Sequence, residues 1–307
     1  MKQAQIAHQL WARLWEAYRR RVEYARTYQT MIEEAGGAIA NDHIAFRSLR
    51  LTREINLGIP YLANIAEALG YEVGGEYEFL DQHLYARHYR HPQQDLFDLP
   101  KLFISELLVE KLPAPAIRQI EATVSCGHFF ELESLKSKIA AASTDAEIEQ
   151  IVTVLQTAFT RPWEPPKQSI VKAVDRVSQY GAWVLLHGYC VNHFTGYINR
   201  QNTPHYADIE STARGLVERG IPMKEAIEGS RGSGLRQTAT QAVTELVEVW
   251  DDVRGKLSQI PWTYAYYEIA ERNFVETSAG RSVLFEGFLN AQAKNLFEMT
   301  KTIQYER

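Results

Sequence analysis

Hydrophobic and polar positions recur along the chain with two different periods. Residues 2–35 show helical spacing and end at Gly36-Gly37, whereas residues 40–50 alternate with the two-residue period of a strand. A helix is predicted from Pro60 to Gly70, because proline favours a first helical turn and glycine a helix end. Three extended segments follow, in YEVGG, HLYARHYRHP and LPKLFISELLVEKLP. After one N-terminal helix, this half is predicted to be a strand, a helix and three strands.

Residues 114–180 are predicted to be mainly helical. One helix there begins at Thr144, three residues before Glu147, which is the spacing of a capping box. The early order then returns. GAWVLLHGYCVNHFTGYI is predicted to be a strand and ADIESTARGLVERGIPM a helix that ends at Gly220, and the later strands are GSGLRQTATQAVTEL and WTYAYYEIAERN.

The predicted fold class is therefore α+β, with two βαβββ modules that form a curved sheet around a cleft. One domain is expected over residues 1–307. Its parts are the N-terminal helix, the first module, a helical insertion and the second module, at residues 1–37, 38–113, 114–180 and 181–295.

Composition narrows the function classes. The 307 residues are 45% hydrophobic and 23% charged, which is typical of globular proteins. A net charge of −5 argues against a general nucleic-acid surface. No apolar run approaches the ~18 residues of a spanning helix, so no membrane association is expected. Cys126 and Cys190 form neither a disulfide scaffold nor a zinc cluster, which favours a reducing, cytoplasmic setting.

The N-terminal segment MKQAQIAHQLWARLWEAYRRR is interpreted as an amphipathic helix that stays on the protein. Trp11, Leu14, Trp15 and Tyr18 fall on one helical stripe. The segment has no secretory apolar core, and it carries Glu16 but no serine, which argues against a transit peptide. The oligomeric state is left open by the sequence.

Candidate chemistry begins in the strand NDHIAFRSLRL. His43 and Arg47 share one face of this strand because side chains alternate with period two. His193, in VNHFTG, lies on the first strand of the second module. Matching positions in two similar modules would bring both imidazoles to a shared cleft. His187 would lie ~20 Å from His193 along the predicted strand, so the two are not expected to share a metal.

Two histidines and one carboxylate can hold a mononuclear iron and leave coordination positions open. Glu268, in the apolar stretch YYEIAERNF, is the candidate carboxylate, because a buried carboxylate needs a metal, a base or a proton nearby. The alternative is that Glu268 pairs with Arg272 or Arg47. Rival carboxylates are Glu276 and Glu286.

An ordered set of motifs from about residue 40 to 290 carries a family resemblance: HIAFR, LPKLFISEL, VNHFT, RGIPMKEAIEG, LRQT and EIAER…SAGR. The set resembles the 2-oxoadipate dioxygenase/decarboxylase family, also called hydroxyglutarate synthase, in the vicinal oxygen chelate superfamily of paired βαβββ modules. The chain looks more like the family's short plant and cyanobacterial branch. The resemblance implies Fe(II) held by His43, His193 and Glu268.

The resemblance also implies the reaction. The partners would be O2 and a small 2-oxo dicarboxylic acid, with 2-oxoadipate converted to 2-hydroxyglutarate and CO2, as part of lysine catabolism. Arg47 would bind a substrate carboxylate by a bidentate pair, and Arg236 and Gln237 in GLRQTAT are further candidates for substrate contacts. The alternative for Arg47 is a pair with Glu106, which follows Ser105 in FISEL.

Two other functions stay open at this point. The first is a metal-binding or interaction protein without turnover, whose N-terminal helix and insertion form a partner surface. The second is a metal-dependent isomerase or lyase of the glyoxalase type. Oxygen consumption separates the dioxygenase from both.

Overall fold

The computed structural model describes residues 1–51, 56–278 and 280–288. Its α-helices are α1 Lys2–Arg21, α2 Glu23–Glu34, α3 Ile59–Ala68, α4 Gln94–Phe97, α5 Ala114–Val124, α6 Glu133–Ala141, α7 Asp145–Gln156, α8 Gln168–Asp175, α9 Gln179–His187 and α10 Ile209–Glu218. Short 3-10 turns are Leu80–Gln82, Val109–Lys111, Ile198–Arg200 and Pro204–Tyr206.

The strands are β1 Asn41–Arg50, β2 Glu72–Phe79, β3 Leu84–Arg90, β4 Lys101–Leu108, β5 Val191–Tyr197, β6 Leu235–Ala239, β7 Thr244–Asp251, β8 Lys256–Thr263, β9 Glu268–Arg272, β10 Phe274–Glu276 and β11 Ser282–Leu284. Seven of them form one sheet in the order β2-β3-β4-β1-β5-β9-β6. The antiparallel pair β1–β5 joins the two halves of the chain at the centre of this sheet. On its other side, β1 pairs in parallel with β4, and β5 pairs in parallel with β9.

The N-terminal segment consists of two helices rather than one. Val22 has an extended backbone (φ −109°, ψ 92°) and separates α1 from α2. The apolar stripe of α1 is buried as predicted. Trp15 packs edge-on against Phe194 of β5, with ring centroids 5.2 Å apart. Because Phe194 and His193 are consecutive residues of a strand, α1 supports the back of the strand that carries His193.

The predicted strand at residues 181–198 is wrong in its first part, where α9 forms instead. Every residue of α9 from Tyr180 to His187 is buried, so hydrophobic spacing could not distinguish a helix from a strand. Ser178 caps the helix by accepting a hydrogen bond from the Gly181 N–H, and Gly188 ends it with φ +60°.

The second half departs from a simple repeat of the first. β1, α3, β2, β3 and β4 follow the predicted order, whereas β7 and β8 leave the main sheet as a separate two-stranded hairpin. Among the described residues, the second half contributes β5, β9 and β6 to the main sheet. Residues 289–295 of the predicted second module lie outside the described residues. Because β1 and β5 pair directly, we propose that both modules belong to one domain.

Among the described helices, none has both the length and the apolar character needed to cross a bilayer.

Candidate metal centre

Three neighbouring strands bring His43, His193 and Glu268 together. In the pairing of β1 with β5, Ala45 lies opposite His193 and His43 lies opposite Thr195. In the parallel pairing of β5 with β9, Thr195 lies beside Glu268. One ligand atom from each of the three residues falls within 4.8 Å of the others, and all three side chains are buried.

The potential ligand atoms converge on one point. The Nε2 atoms of His43 and His193 are 3.4 Å apart, and His43 Nε2 is 3.3 Å from Glu268 Oε1. The Thr195 hydroxyl lies beside them. It donates to Glu268 Oε1 at 3.1 Å, and its Oγ1 is 3.1 Å from His43 Nε2. Two imidazole nitrogens and a carboxylate oxygen are thus presented to a common centre.

Each histidine is oriented by the residue that precedes it. His43 Nδ1 is 2.8 Å from Asp42 Oδ1, and His193 Nδ1 is 3.1 Å from Asn192 Oδ1. An acceptor at Nδ1 places the ring proton there and leaves Nε2 with its lone pair facing the centre. This arrangement is typical of metal-bound histidines, whose second nitrogen donates to a carboxylate or carbonyl.

Burial and neighbouring charges control the protonation of the cluster. Burial raises the pKa of Glu268, although hydrogen bonding to His43 and the charge of His43 partly oppose that rise. Burial disfavours the charged form of His43, but hydrogen bonds to Asp42 and Glu268 outweigh it and raise the pKa of His43. The pKa of His193 is lowered well below its usual value by burial and by the charges of His43 and Arg47.

These residues fit a divalent transition metal. Neutral imidazoles and a carboxylate are the ligand types that iron and its neighbours accept, and three of them on one side leave coordination positions for other ligands. A divalent cation would also supply the positive charge that stabilises a carboxylate in a buried site.

Arg47 lies on the same strand face as His43, with its Cα ~13 Å further along β1. Its side chain is fully buried. The guanidinium carbon lies 4.9 Å from the ring centroid of Tyr180 and 5.0 Å from that of Trp183. Burial lowers the pKa of Arg47, but an arginine keeps its charge at neutral pH.

Glu106 does not pair with Arg47, which was the alternative role for this arginine; its carboxylate faces Ile59 and Arg50 instead. Glu106 Oε2 accepts from the Ile59 N–H at 2.8 Å, and Oε1 lies 3.6 Å from Arg50. In the parallel register, Glu106 lies beside Ser48, whereas Arg47 lies beside Ser105. Glu106 and Arg47 therefore point to opposite faces of the sheet.

Of the two neighbours on β6, the structure brings only Gln237 to the face of the cluster. Gln237 lies opposite Ala270, two residues from Glu268, and its side chain is buried. Arg236 lies opposite Glu271, on the other face, and its Nη2 donates to Glu210 at 2.7 Å. We therefore remove Arg236 from the expected substrate contacts, because adjacent residues of a strand point in opposite directions.

The other candidate partners of the cluster lie elsewhere. Arg272 bonds Asp42 rather than Glu268, with Nε 2.5 Å from Oδ2. Glu276 is exposed on β10, and Glu286 lies 2.7 Å from Lys101 Nζ. His187 lies at the end of α9, with Nε2 3.1 Å from the Thr263 carbonyl oxygen. The estimate of ~20 Å between His187 and His193 assumed an extended strand. His187 instead ends a helix, and it is its bond to Thr263 that assigns it a structural role.

Sequence reasoning missed several residues around the cluster. Asp42 and Asn192 were detectable, because each first strand carries a polar residue directly before its histidine, in DHIAF and NHFTG. Tyr266, whose ring stacks on His193 at 4.7 Å, and Phe288, whose ring meets His43 edge-on at 4.8 Å, had no such local signal.

Comparisons with known proteins identify the family of the chain. The family model for 2-oxoadipate dioxygenase/decarboxylase matches residues 9–306. The Arabidopsis thaliana protein named 2-oxoadipate dioxygenase/decarboxylase, chloroplastic, is 27% identical over 284 residues, which cover 87% of this chain and 69% of that protein.

Two crystal structures show the same fold. Hydroxyglutarate synthase from Oryza sativa, solved in complex with 2-oxoadipate, superposes with a TM-score of 0.77 at 24% identity and covers 99% of this chain and 95% of its own. A protein of Ralstonia eutropha JMP134, named provisionally in the glyoxalase superfamily, superposes with a TM-score of 0.80 at 21% identity and covers 92% and 86%. These likenesses confirm the predicted fold class.

Proposed function

Since the chain belongs to the 2-oxoadipate dioxygenase/decarboxylase family, we propose that it is an Fe(II)-dependent enzyme that acts on a 2-oxo dicarboxylic acid. With 2-oxoadipate and O2 the products would be 2-hydroxyglutarate and CO2. The equation balances, because loss of C1 as CO2 and hydroxylation of the shortened acid each supply two electrons to O2. The names of the plant relatives and the 2-oxoadipate in the Oryza sativa structure support this substrate.

The observation that carries the proposal is the buried cluster of His43, His193 and Glu268, with ligand atoms within 4.8 Å. We assign these three residues as the iron ligands. Bound iron would supply a site for O2 and polarise the substrate ketone. Asp42 and Asn192 would hold the two imidazoles with Nε2 turned toward the centre, and Thr195 would hold Glu268 in its orientation.

We assign the far carboxylate of the substrate to Arg47. A guanidinium offers a planar pair of donors that matches a carboxylate, and its charge does not depend on pH in the physiological range. The rings of Tyr180 and Trp183 restrict where this guanidinium can lie. A dicarboxylate that reaches from the cluster toward Arg47 would span much of the ~13 Å between the two Cα atoms.

Gln237 is the second residue that we assign to the substrate. Its side chain is buried on the cluster's face of the sheet, and its Oε1 has no hydrogen-bond partner among the described residues. A buried amide oxygen without a partner is costly, so a donor from a substrate or a water would be favoured there. The amide NH2 can at the same time donate to a carboxylate oxygen.

Oxygen uptake tests the proposed reaction. The protein is loaded with Fe(II) without oxygen and then mixed with O2 and a series of 2-oxo acids. We expect uptake with C5–C7 dicarboxylates, and CO2 released in equal amount to the O2 consumed. A tightly bound, colourless zinc ion with no uptake for any acid would contradict the dioxygenase and favour a binding protein or a glyoxalase-type isomerase.

Substitution Arg47→Lys tests the carboxylate assignment, because lysine keeps the charge but loses the planar fork. Loss of this contact should cost about 2–4 kcal/mol, or roughly 30- to 1,000-fold in kcat/KM with dicarboxylates, while iron content is retained. Arg236→Lys, a buried arginine on the opposite face, is the matched control. An unchanged preference for dicarboxylates over monocarboxylates of equal length would remove Arg47 from the substrate site.

Cellular setting stays a prediction. A reducing compartment is consistent with Cys126 and Cys190, both of which are free thiols. The Arabidopsis thaliana relative is named as chloroplastic. Our proposal of the cytoplasm for this chain therefore rests on its cysteines and not on that relative.

A further inference from the structure

Arg272 is linked to the candidate metal centre through Asp42, the residue before His43. It is the last residue of β9, four positions after Glu268, and its side chain is 1% exposed. Its guanidinium donates four hydrogen bonds to two groups of acceptors. Two run to the carboxylate of Asp42, and two run to backbone carbonyls near the end of the described chain.

The first group leads to His43. Arg272 Nε and Nη2 lie 2.5 and 2.9 Å from Oδ2 and Oδ1 of Asp42. The same Oδ1 is 2.8 Å from His43 Nδ1. The charge of Arg272 and the bond to His43 outweigh burial and hold the pKa of Asp42 well below its usual value. Arg272 thus holds in place the carboxylate that orients His43.

The second group belongs to residues 285–288, here called the cover segment. Arg272 Nη1 donates to the carbonyl oxygens of Phe285 and Gly287 at 3.0 and 2.8 Å. Phe288 then turns its ring toward the metal centre, 4.8 Å from the ring of His43 and 5.2 Å from the Arg272 guanidinium carbon. The cover segment therefore contacts His43 through the Phe288 ring, and it is hydrogen-bonded to the same guanidinium that binds Asp42.

Further contacts fix where the cover segment lies. Glu286 bonds Lys101 at 2.7 Å and accepts from Gln94 at 3.1 Å. The Phe288 N–H donates to the Tyr77 hydroxyl at 3.1 Å. These bonds give each of three neighbouring elements, β2, α4 and β4, a contact with the segment. Its position is therefore specified by polar geometry as well as by packing.

We propose that Arg272 is a positioning residue that couples the seating of the cover segment to the orientation of His43. A buried guanidinium is stable only when its donors are satisfied, and its planar fork can satisfy Asp42 and both carbonyls only in one arrangement. Displacement of either side would therefore weaken the other. The inference rests on the proposed function only in taking His43 as a metal ligand.

Cobalt(II) affinity tests the effect on the ligand. Co(II) is titrated into the full chain against a competing chelator, with its visible absorption as the second readout. Arg272→Lys should weaken affinity about 10- to 100-fold, the range expected when a partner of a ligand is lost. Arg236→Lys, which breaks a buried arginine–glutamate contact on the other face, should leave affinity within about threefold.

A substitution in the cover segment tests whether that segment affects metal binding. Phe288→Ala keeps Asp42, Arg272 and both carbonyls but removes the ring beside His43. It should also weaken Co(II) binding, by several-fold, and should shift the absorption bands of the bound ion. Parent-like affinity and spectrum in this variant, together with parent-like affinity in Arg272→Lys, would overturn the coupling.

Hydrogen exchange in the metal-free protein separates coupling from a purely structural role. Asp42→Asn keeps an acceptor for His43 but removes the charge that Arg272 binds. Coupling predicts that amide exchange in residues 285–288 rises about tenfold or more, while exchange in α7 stays unchanged. Parent-like exchange in residues 285–288 would refute the proposal. A parent chain that binds no Co(II) would instead defeat the proposed function, and this exchange experiment would still decide the coupling.

Discussion

Single residues of the candidate site owe their roles to their immediate neighbours. His43 and His193 face each other through Nε2 because Asp42 and Asn192 occupy their Nδ1 atoms. His187 is equally buried, but its Nε2 lies against the Thr263 carbonyl. Burial, Arg21 and other cations lower the pKa of His187 well below its usual value, in spite of that bond. The same side chain is thus a candidate ligand or a structural residue according to its hydrogen bonds.

Ligand substitutions test this distinction. His43→Ala, His193→Ala and Glu268→Ala should each remove most bound iron, because two remaining protein ligands form a weak site. His187→Ala is the matched control and should keep iron near the parent level. Metal content per folded chain, measured after desalting, is the readout. Parent-like iron in His193→Ala would eliminate the three-residue site.

The elements around the site are packed closely where β5 meets the tyrosines of its neighbours. A Cβ added at Gly196 would lie 2.5 Å from the hydroxyl of Tyr267 and 2.8 Å from that of Tyr28. Tyr28 belongs to α2, and Tyr267 precedes β9. Glycine at this position therefore allows β5, with His193 three residues earlier, to lie close to both elements.

Gly196→Ala should lower the free energy of unfolding by about 1–3 kcal/mol, the usual cost of overpacking. Urea denaturation gives this value. Tyr267→Phe removes the nearest atom. Gly196→Ala should therefore lower the free energy of unfolding less in the Tyr267→Phe protein than in the parent. A coupling energy near zero, rather than about 0.5 kcal/mol or more, would mean that this contact does not limit the position of β5.

At the scale of the whole molecule, the candidate site ties the two halves of the chain together. His43 comes from the first half, and His193 and Glu268 come from the second. A metal at this point would link β1 of the first half to β5 and β9 of the second half. Binding only to the folded state would then stabilise the complete sheet.

Metal removal should therefore lower the melting temperature of the intact chain. Metal at about 100 times its Kd contributes about 2.7 kcal/mol, or roughly 5 °C for a protein of this size. Calorimetry of the chelator-treated and Fe(II)-loaded protein under anaerobic conditions measures the difference. Glu268→Ala should show almost no shift on loading. An equal shift in this variant would place the stabilising ion elsewhere.

Much of the site was predictable because its signals are local. The alternation of NDHIAFRSLRL assigned His43 and Arg47 to one face, and the Thr144–Glu147 capping box forms as predicted. Local spacing failed at residues 181–187, where α9 is buried on all sides. It also could not choose between Arg236 and Gln237, because the face of a strand residue depends on the register with β9.

The sequence by itself determined the strand and helix order of the first half, the family, and the residue types that could hold a metal. These follow from periodicity and motif spacing within short windows of the chain. Only the tertiary structure decided which side chains meet: Arg272 with Asp42, 230 residues away, and Phe288 with His43. Such pairs are selected by sheet order and by the need to satisfy buried charges, and neither leaves a periodic pattern in the sequence.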